Sequence, residues 1–533
     1  MLNLRTSEGD TIRRPGLKVA MRGQWLGVLA LMAAQPAAAL DDSALADAAM
    51  HADGAKVRQL LKQGADPDAR GSFGTPALHW MVHLDDLEGA TLLLKAGADA
   101  RATTERGISA LSLAIANGNT AMVHLLLDAG ADASQLEPTG ETQLMMAAQV
   151  GVLPIVQDLL QHGAAVDARE SSYGQTALMY AARAGHAEVV ELLLARGADA
   201  KAATRVGAAP AFIAPNSVPG YGFGVGILRG GVPADRGRRE PAPGGMTALH
   251  YAARHDHADV AALLVAAGAD VNAREANAIT PLLMAISNDN MAAAHFLLAH
   301  GGDVNAQDWY GRSPLWEAVN VRNLYVHNAT FRNGIDRAPV LDLIKALIAA
   351  GANVNARTRE TPPFRHHLLE ITGSLEWVDF TGQTPFLTAA LAGDLTVMKL
   401  LLEHGADPHI NTFQGTSALM AAAGVNWVVA QTWTEGPEQL LEAVKLCHAL
   451  GMDVNQANSM GITALHGAAN RGSEDIIRFL VENGANLQAQ DNEHRTALDW
   501  AKGVFLATHP PEPKPGSIAL ITSMLKAQGK EVR

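Results

Sequence analysis

The sequence predicts an all-α solenoid of about twelve helix–turn–helix repeats, with loop insertions in its C-terminal half. Two observations predict it. Glycines recur along the 533 residues, with successive gaps of 33, 33, 33 and 34 between Gly64 and Gly197. Within each period, apolar residues recur at helical spacing in two short segments. Two helices of that length cannot bury their own apolar faces, so the copies are expected to stack on one another.

One complete repeat is the segment GQTALMYAARAGHAEVVELLLARGADA, residues 174–200. Thr176 is predicted to cap its first helix, because the hydroxyl can accept a hydrogen bond from a backbone N–H that has no partner within the helix. Gly185 and Gly197 are predicted to end the two helices, since glycine adopts a left-handed backbone conformation at the least cost. The residues expected on the buried faces are Leu178, Ala181, Ala182, Val189, Val190, Leu192, Leu193 and Leu194.

These motifs resemble those of the ankyrin repeat family. Residues 247–250 and 463–466 both read Thr-Ala-Leu-His, and residues 268–273 read Gly-Ala-Asp-Val-Asn-Ala. The resemblance covers most of residues 42–530. It implies an ankyrin-repeat solenoid, and it identifies no partner because the family is a binding scaffold with many unrelated partners. Proline is expected at the first helical position, where it loses no hydrogen bond, at Pro281, Pro314 and Pro385.

A glycine is predicted to close the second helix of each of eleven repeats. The first repeat, from Asp42, lacks a Thr-Pro-Leu-His-like start and is expected to cap the N-terminal end. A twelfth repeat over residues 490–530 carries Asp499 where the family has histidine, and it is expected to cap the other end. The eleven glycines are Gly64, Gly97, Gly130, Gly163, Gly197, Gly268, Gly301, Gly351, Gly405, Gly451 and Gly484.

Surplus residues in the later repeats predict five loop insertions, all after Lys201. They lie near residues 204–243, 321–337, 357–376, 424–436 and 509–515. An insertion in a repeat array forms a loop on one face, often the binding face. The expected organisation is a signal peptide at 1–39, repeats 1–5 with an N-terminal cap at 40–202, a Gly/Pro-rich insertion at 203–244, and repeats 6–12 with insertions and a C-terminal cap at 245–533.

The N-terminal segment has the order of a bacterial signal peptide. Four basic residues at positions 13–22 precede a short apolar run at 25–34, and residues 37–39 are alanines. The run is roughly half as long as a membrane span. We therefore expect cleavage near Ala39, a periplasmic or secreted protein, and no membrane insertion after cleavage. Met1 and Met21 both remain as starts, and Arg13-Arg14 leaves Sec and twin-arginine export open.

Net charge narrows the classes of partner, and the cysteine content limits the possible cross-links. The formal net charge is −13 and the chain has no long basic run, which disfavours nucleic acid and anionic membranes. Cys447 is the single cysteine, so no intramolecular disulfide can form. It lies at core spacing in a predicted second helix and is expected to be buried. We expect a monomer that is stabilised by stacking.

The sequence carries no recognised catalytic signature. GxxxxGK[ST], HExxH, CxxC and GxSxG are all absent, so we assign no catalytic residue and expect no cofactor and no metal. The glycine run at 220–231 lacks GxGxxG spacing and is expected to form a surface loop. His255 with His257, and His366 with His367, allow a metal-site interpretation; structural roles are favoured, since His257 matches a histidine of the family motif.

Aromatic residues indicate where a partner binds. Six of the eight tryptophans lie at or after residue 309. In ankyrin proteins the turn tips and the exposed side of the first helices form the usual ligand surface, and Trp, Tyr and Arg are frequent anchors. Packing against an insertion is the alternative for Trp316, Trp377 and Trp427, and it is less favoured for Trp309 and Tyr310. The predicted partner contacts are Trp309, Tyr310, Arg312, Asn320, Phe380, Gln383, Phe413, Met460, Asn470, Arg471 and Arg254.

Three functions are compatible with the sequence. The leading hypothesis is a non-catalytic, exported scaffold that binds a protein through the concave and turn-tip face of repeats 6–12. The second is an enzyme or small-ligand-binding protein whose site lies between the insertions and the groove, which a deep pocket with convergent polar groups would favour. The third is a secreted effector acting on a host protein, a role known for some bacterial ankyrin proteins.

Overall fold

The computed structural model describes residues 43–71, 73–207, 243–324, 337–359, 381–427, 434–503 and 512–530. The predicted signal peptide lies outside these ranges, as do most of the insertions predicted near 204–243, 321–337 and 357–376 and parts of those near 424–436 and 509–515. The chain divides into two compact units, Met1–Thr204 and Arg205–Arg533, called here the N-terminal and C-terminal units. Within the described ranges the regular structure is helical, as predicted, with isolated antiparallel bridges only at turns.

The described residues of the N-terminal unit contain ten helices that form five helix–turn–helix repeats. Within this unit each first helix packs against its own second helix and against the first helices of neighbouring repeats. In chain order the helices are α1 (Ala44–Met50), α2 (Gly54–Lys62), α3 (Ala77–His83), α4 (Leu87–Lys95), α5 (Ala110–Asn117), α6 (Thr120–Asp128), α7 (Gln143–Val150), α8 (Leu153–Gln161), α9 (Ala177–Ala184) and α10 (Ala187–Ala195).

The C-terminal unit contains the helices of repeats 6–12, which pack in the same manner within the unit. Pro281, Pro314 and Pro385 begin three of its first helices, as predicted. In chain order its described helices are α11 (Ala248–Arg254), α12 (Ala258–Ala266), α13 (Pro281–Ser287), α14 (Met291–Ala299), α15 (Pro314–Leu324), α16 (Ala338–Ala349), α17 (Pro385–Ala392), α18 (Leu395–Glu403), α19 (Ala418–Ala423), α20 (Pro437–Ala449), α21 (Ala464–Arg471), α22 (Glu474–Glu482), α23 (Ala497–Lys502) and α24 (Pro515–Ala527).

Glycine closes the second helices because of backbone conformation. All eleven predicted glycines have a positive φ, between +81° at Gly64 and +99° at Gly97. A Cβ atom built on any of them would meet no atom within 4 Å. Space is therefore not the constraint. The left-handed conformation that ends each second helix selects glycine.

The two helices of a repeat differ in burial. All six residues from Ala177 to Ala182 of α9 are buried, whereas α10 buries only Val189, Val190 and Leu193. Leu192 and Leu194, predicted on the buried face, are only partly buried. The first helix is enclosed by its own second helix and by neighbouring first helices, so nearly all of its sides are covered.

Thr176 does not cap α9, which corrects the prediction. Its hydroxyl is buried and has no hydrogen-bond partner among the residues that the structure describes. The equivalent hydroxyl does cap the first helix in other repeats, where it accepts the backbone N–H three residues later. Those residues are Ser109, Thr142, Thr280, Thr384, Ser417 and Thr496.

Asparagine side chains join the loops that follow the second helices of the C-terminal unit. Nδ2 of Asn272 donates to the carbonyl of Gly301 at 3.0 Å, and its Oδ1 accepts the N–H of Asp303 at 2.7 Å. At the equivalent position of the N-terminal unit, Asp167 accepts one N–H but has no N–H to donate. The same pair of asparagine bonds is made by Asn305, Asn355 and Asn455.

Buried histidines bind some of the first helices to the next repeat. Nδ1 of His250 accepts the backbone N–H of Thr247 at 3.2 Å, so the ring proton is on Nε2 and is donated to the carbonyl of Ile279 at 3.0 Å. His466 has the same contacts with Thr463 and Arg495. Burial lowers the pKa of His250 to about 4, because a charged ring there would lose its hydration.

We expect acid to destabilise the fold through these rings. Between pH 6.5 and 4 the unfolded chain binds a proton at His250 that the folded chain excludes, so stability falls as the pH drops through this window. From pH 7 to 5 the loss is about 2 kcal/mol for such a histidine. Urea unfolding at both pH values should show a loss smaller by about that amount in His250→Met.

Methionine is the matched replacement, because the chain itself places Met145 and Met420 at this position of the first helix. Neither side chain titrates, and both lie next to the same capping residue. An identical pH dependence in the wild type and in His250→Met would contradict the role assigned to the ring.

The described ends of two predicted insertions place their boundaries. The N–H of Gly207 donates to the carbonyl of Pro243 at 2.8 Å, so the two ends of the Gly/Pro-rich insertion lie side by side. The predicted insertion at 321–337 begins later than expected, because α15 continues to Leu324.

Candidate functional site

The candidate surface is formed by the turns that lead into the first helices, called turn tips below. In repeat 8 the buried Asp308 fixes the tip, because its Oδ1 accepts the N–H of Arg312 at 2.8 Å. The turn closes over this bond and directs Trp309 and Tyr310 outward. Thr412 makes the same bond with the N–H four residues later, at 3.0 Å.

Successive tips of the C-terminal unit are joined by backbone hydrogen bonds of 2.8–3.1 Å. Each bond runs from an N–H of one tip to a carbonyl of the preceding one. The tips are therefore fixed relative to their neighbours before any partner binds. The bonds are Trp309 N–H to Asn277 O, Arg359 N–H to Tyr310 O, Phe413 N–H to Thr381 O, Ser459 N–H to Gln414 O, and Asn492 N–H to Met460 O.

Trp309 and Tyr310 form an aromatic pair at the tip of repeat 8. Their ring centroids are 4.9 Å apart with nearly perpendicular planes, an edge-to-face contact. Trp309 is 38% exposed, and Tyr310 is partly buried. Below them the guanidinium carbon of Arg312 lies 5.6 Å from the Tyr310 ring centroid. The pair thus exposes apolar surface to solvent, and the Arg312 guanidinium lies next to the Tyr310 ring beneath it.

Arg312 is not an exposed contact residue, which corrects the expectation from its place in the turn. It is only 8% exposed, and its Nε donates to Asp308 at 2.7 Å. Its Nη1 lies 3.4 Å from Glu317. Burial opposes the charge, but the two carboxylates outweigh burial and raise the pKa of Arg312, while burial raises the pKa of Asp308. Arg312 therefore supports the tip from inside.

Gln383 is also buried, 1% exposed, where exposure was expected. Its N–H donates to the Thr358 hydroxyl at 2.9 Å, and its side-chain oxygen lies 3.3 Å from the Thr388 hydroxyl. Gln383 therefore connects the two sides of the predicted insertion at 357–376.

Arg471 is partly buried and bonds to the preceding repeats, again unlike the exposed contact expected. Its guanidinium donates to the carbonyls of Ala422 at 2.7 Å and Leu391 at 3.4 Å, in the last turns of α19 and α17. Helix C-termini carry partial negative charge, which favours a cation there. Burial lowers the pKa of Arg471 to about 9. Its main contacts are thus within the stack.

The other predicted contacts differ in exposure. Phe413, at the tip of repeat 10, is 59% exposed, and Arg254 is exposed at the end of α11. Asn320, Met460 and Asn470 are partly buried. Phe380 lies outside the described residues. The tips of repeats 8 and 10 therefore carry the large exposed rings of this surface.

The sequence reasoning missed exposed apolar tips in the N-terminal unit. Leu136 is 58% exposed and Tyr173 is 63% exposed, although both precede the half of the chain in which contacts were expected. It also missed two arginines at the tips, Arg357 and Arg359. The available signal was the tip position itself, since a bulky side chain there has no place in the core.

The tryptophans have several roles. Trp316 and Trp500 are 3% and 2% exposed and belong to the repeat core. Trp427 is partly buried and packs against the cluster of Leu387, Leu391 and Ala421. Trp377 and Trp433 lie outside the described residues. Of the described tryptophans from repeat 8 onward, Trp309 is the one that is exposed.

Neither a metal site nor an accessible thiol is found among the described residues. No three His, Cys, Asp or Glu side chains there are arranged to hold a metal ion, and His366 and His367 lie outside it. Cys447 is fully buried, and burial raises its thiol pKa to about 12. No helix found there has the length and apolar character to cross a bilayer. A surface cavity of about 520 Å³ is lined by Asn305, Gln307, Asn353, Asn355, Ala356 and Arg357.

Comparison with known proteins agrees with this architecture. The model for three copies of ankyrin repeats matches residues 45–137, 111–204 and 436–503, and single-repeat models match 244–276, 277–309 and 381–410. Similar curated proteins include neurogenic locus notch homolog protein 1 of Danio rerio, 29% identical over 174 residues, which are 30% of this chain and 7% of that protein. Alpha-latrocrustotoxin-Lt1a of Latrodectus tredecimguttatus is 26% identical over 123 residues, 23% of this chain and 8% of the toxin. The chain thus spans less than a tenth of these relatives.

Proposed function

The chain belongs to the ankyrin repeat family, and we propose that it is a non-catalytic scaffold that binds a partner protein through the turn tips of repeats 6–12. One observation carries the proposal: exposed aromatic rings stand on tips that backbone hydrogen bonds hold together. Ankyrin repeats are interaction modules, and a surface ordered in advance loses little conformational entropy on binding. Rigid aromatic anchors suit such a surface.

We expect the double variant Trp309→Ser, Tyr310→Ser to fold normally and to bind its partner about thirtyfold more weakly, a loss of about 2 kcal/mol. Trp309 is more than one-third exposed and Tyr310 is partly exposed, so their loss removes contact area without opening the core. Capture of the partner by the immobilised protein measures the affinity. Urea unfolding of the same protein measures its stability.

Tyr173→Ser is the matched control, because Tyr173 is a tip aromatic of the N-terminal unit with 63% exposure. It should leave both unfolding and capture unchanged. Unfolding of the double variant would show that the rings are packing residues. Undiminished capture by a folded double variant would place the binding surface elsewhere.

We further propose that the protein is exported and acts in the periplasm or outside the cell. Support comes from the basic, apolar and small-residue order of residues 13–39. Cell fractionation with N-terminal sequencing should find a product that begins near residue 40. A full-length cytoplasmic product would contradict export and would leave the scaffold proposal standing.

A further inference from the structure

Two arginines lie between the aromatic tips of repeats 8 and 10. The backbone N–H of Arg359 donates to the carbonyl of Tyr310 at 2.8 Å, which places it directly beside the tip of repeat 8. The guanidinium carbon of Arg357 lies 4.3 Å from the ring centroid of Phe413. The name tip ridge is used below for Trp309, Tyr310, Arg357, Arg359 and Phe413.

The Arg357 side chain is held in place by the protein itself. Its Nε donates to the carbonyl of Gly382 at 3.1 Å, and its Nη2 donates to the carbonyl of Asn411 at 2.6 Å. One face of the guanidinium covers the Phe413 ring, a cation–π contact. Phe413 is itself 59% exposed. A cation and an apolar ring are thus positioned together before a partner arrives.

Neither arginine forms an ion pair with a carboxylate within the described residues. Arg359 is exposed, and its side chain bonds to the neutral amide of Gln307 at 2.9 Å. Arg312 and Arg322 of the same unit, by contrast, each pair with a buried aspartate. The chain has 54 acidic and 41 basic residues, so acidic side chains are plentiful. Among the described residues, the tip ridge therefore offers two arginines without a carboxylate partner next to exposed rings.

We propose that the tip ridge binds an extended, acidic segment of the partner protein. Carboxylates of the segment pair with Arg357 and Arg359, and apolar side chains cover Trp309 and Phe413. This inference rests on the proposed scaffold function and adds the chemistry of the partner. Guanidinium groups bind carboxylates through charge-assisted hydrogen bonds, and the neighbouring rings lower the local exposure to water.

The distance between the tips sets the length of the segment. Packed helices lie about 8–10 Å apart, so two repeats span roughly 16–20 Å. An extended chain rises about 3.3 Å per residue and crosses that distance in about five or six residues. The expected segment has apolar residues about five positions apart, with aspartate or glutamate between them.

A random peptide display library panned on the whole protein tests this at low and at high salt. Low salt should enrich peptides with two or more acidic residues between apolar ones. High salt should weaken them, because screening reduces the attraction of exposed charges. The enriched peptide, synthesised and titrated, should lose about tenfold or more in affinity for Arg359→Glu. Replacing its acidic residues with lysine should restore binding to that variant.

Arg478→Glu is the matched control, since it makes the same charge change at an exposed position on α22. It should leave the affinity unchanged. Enrichment of neutral or basic peptides whose binding depends on Trp309 and Tyr310 would contradict the proposed acidic segment. The proposed scaffold function would still stand. Failure to enrich any peptide, or equal effects of the Arg359 and Arg478 variants, would also overturn the inference. Capture of the natural partner tests the scaffold function separately.

Discussion

Asp394→Asn is expected to lower the stability of the C-terminal unit by about 3–5 kcal/mol, as breaking a buried ion pair does. Asp394 is 2% exposed, and its Oδ2 accepts hydrogen bonds from Arg322 at 2.8 Å and Arg337 at 3.0 Å. Asparagine keeps the size and the capping oxygen but removes the charge. Both guanidiniums then lose their shared carboxylate, and Arg322 remains buried without an anion.

The position of this carboxylate makes the loss spread beyond one repeat. Arg322 lies in α15 and Arg337 precedes α16, so the two arginines bracket the predicted insertion of repeat 8. Arg337 also pairs with Glu435, whose N–H donates to the carbonyl of Ala392 at 2.8 Å. Repeats 8, 9 and 10 are therefore joined by one charge network, and we expect all three to lose protection together.

Asp86→Asn provides the control. Asp86 is likewise the N-cap of a second helix, with Oδ1 accepting the N–H of Gly89 at 2.9 Å, and it has no arginine partner among the described residues. Asparagine caps as well as aspartate, so the change should stay within about 0.5 kcal/mol. Hydrogen exchange of α17 and α18, compared with α3 and α4, measures the two effects. Equal losses of stability in Asp394→Asn and Asp86→Asn would show that the arginine pairs add nothing to the capping role of Asp394.

The sequence was sufficient for the fold because its signals are local. Gly197 ends α10 through its own φ of +88°, with open space around its Cα. Pro385 begins α17 because its ring fits the first turn. Such signals depend on backbone geometry within a few residues. The closing glycine recurs in eleven repeats, so a repeat whose other motif residues differ can still be recognised.

The candidate site was predicted less well, because side-chain exposure depends on distant residues. Arg471 bonds to a carbonyl 80 positions earlier in the chain, and Gln383 bonds to Thr358 across an insertion. Neither contact leaves a pattern in the sequence. The contact of Arg357 with Phe413 is equally hidden in the sequence, since it forms only after the stack has formed, and only the tip position of Arg357 could have indicated it. Trp309 was predicted to lie on the surface because a large ring at a turn tip has no place in the core, and the structure exposes more than one-third of it.

We expect Leu193→Ala to lower the stability of the N-terminal unit by about 2–5 kcal/mol, the usual cost of truncating a buried leucine. Leu193 is fully buried in α10, on the face that packs against α9 and the neighbouring repeat. Removing its terminal carbons leaves a cavity. The stacked helices can collapse into it only partly, since each is fixed by a neighbour.

Ser172→Ala in the same repeat should change stability by no more than roughly 0.5 kcal/mol. Ser172 is exposed at a turn tip, and its contact with Glu170 is made by the backbone N–H, which alanine retains. Urea unfolding followed by hydrogen exchange in α9 and α10 separates this unit from the other. If stability depends on the helix faces and the tips are free to vary, the urea midpoint should fall strongly in Leu193→Ala and stay unchanged in Ser172→Ala. Equal midpoints for the two variants would contradict that division of roles, and with it the reason for seeking the partner surface at the tips.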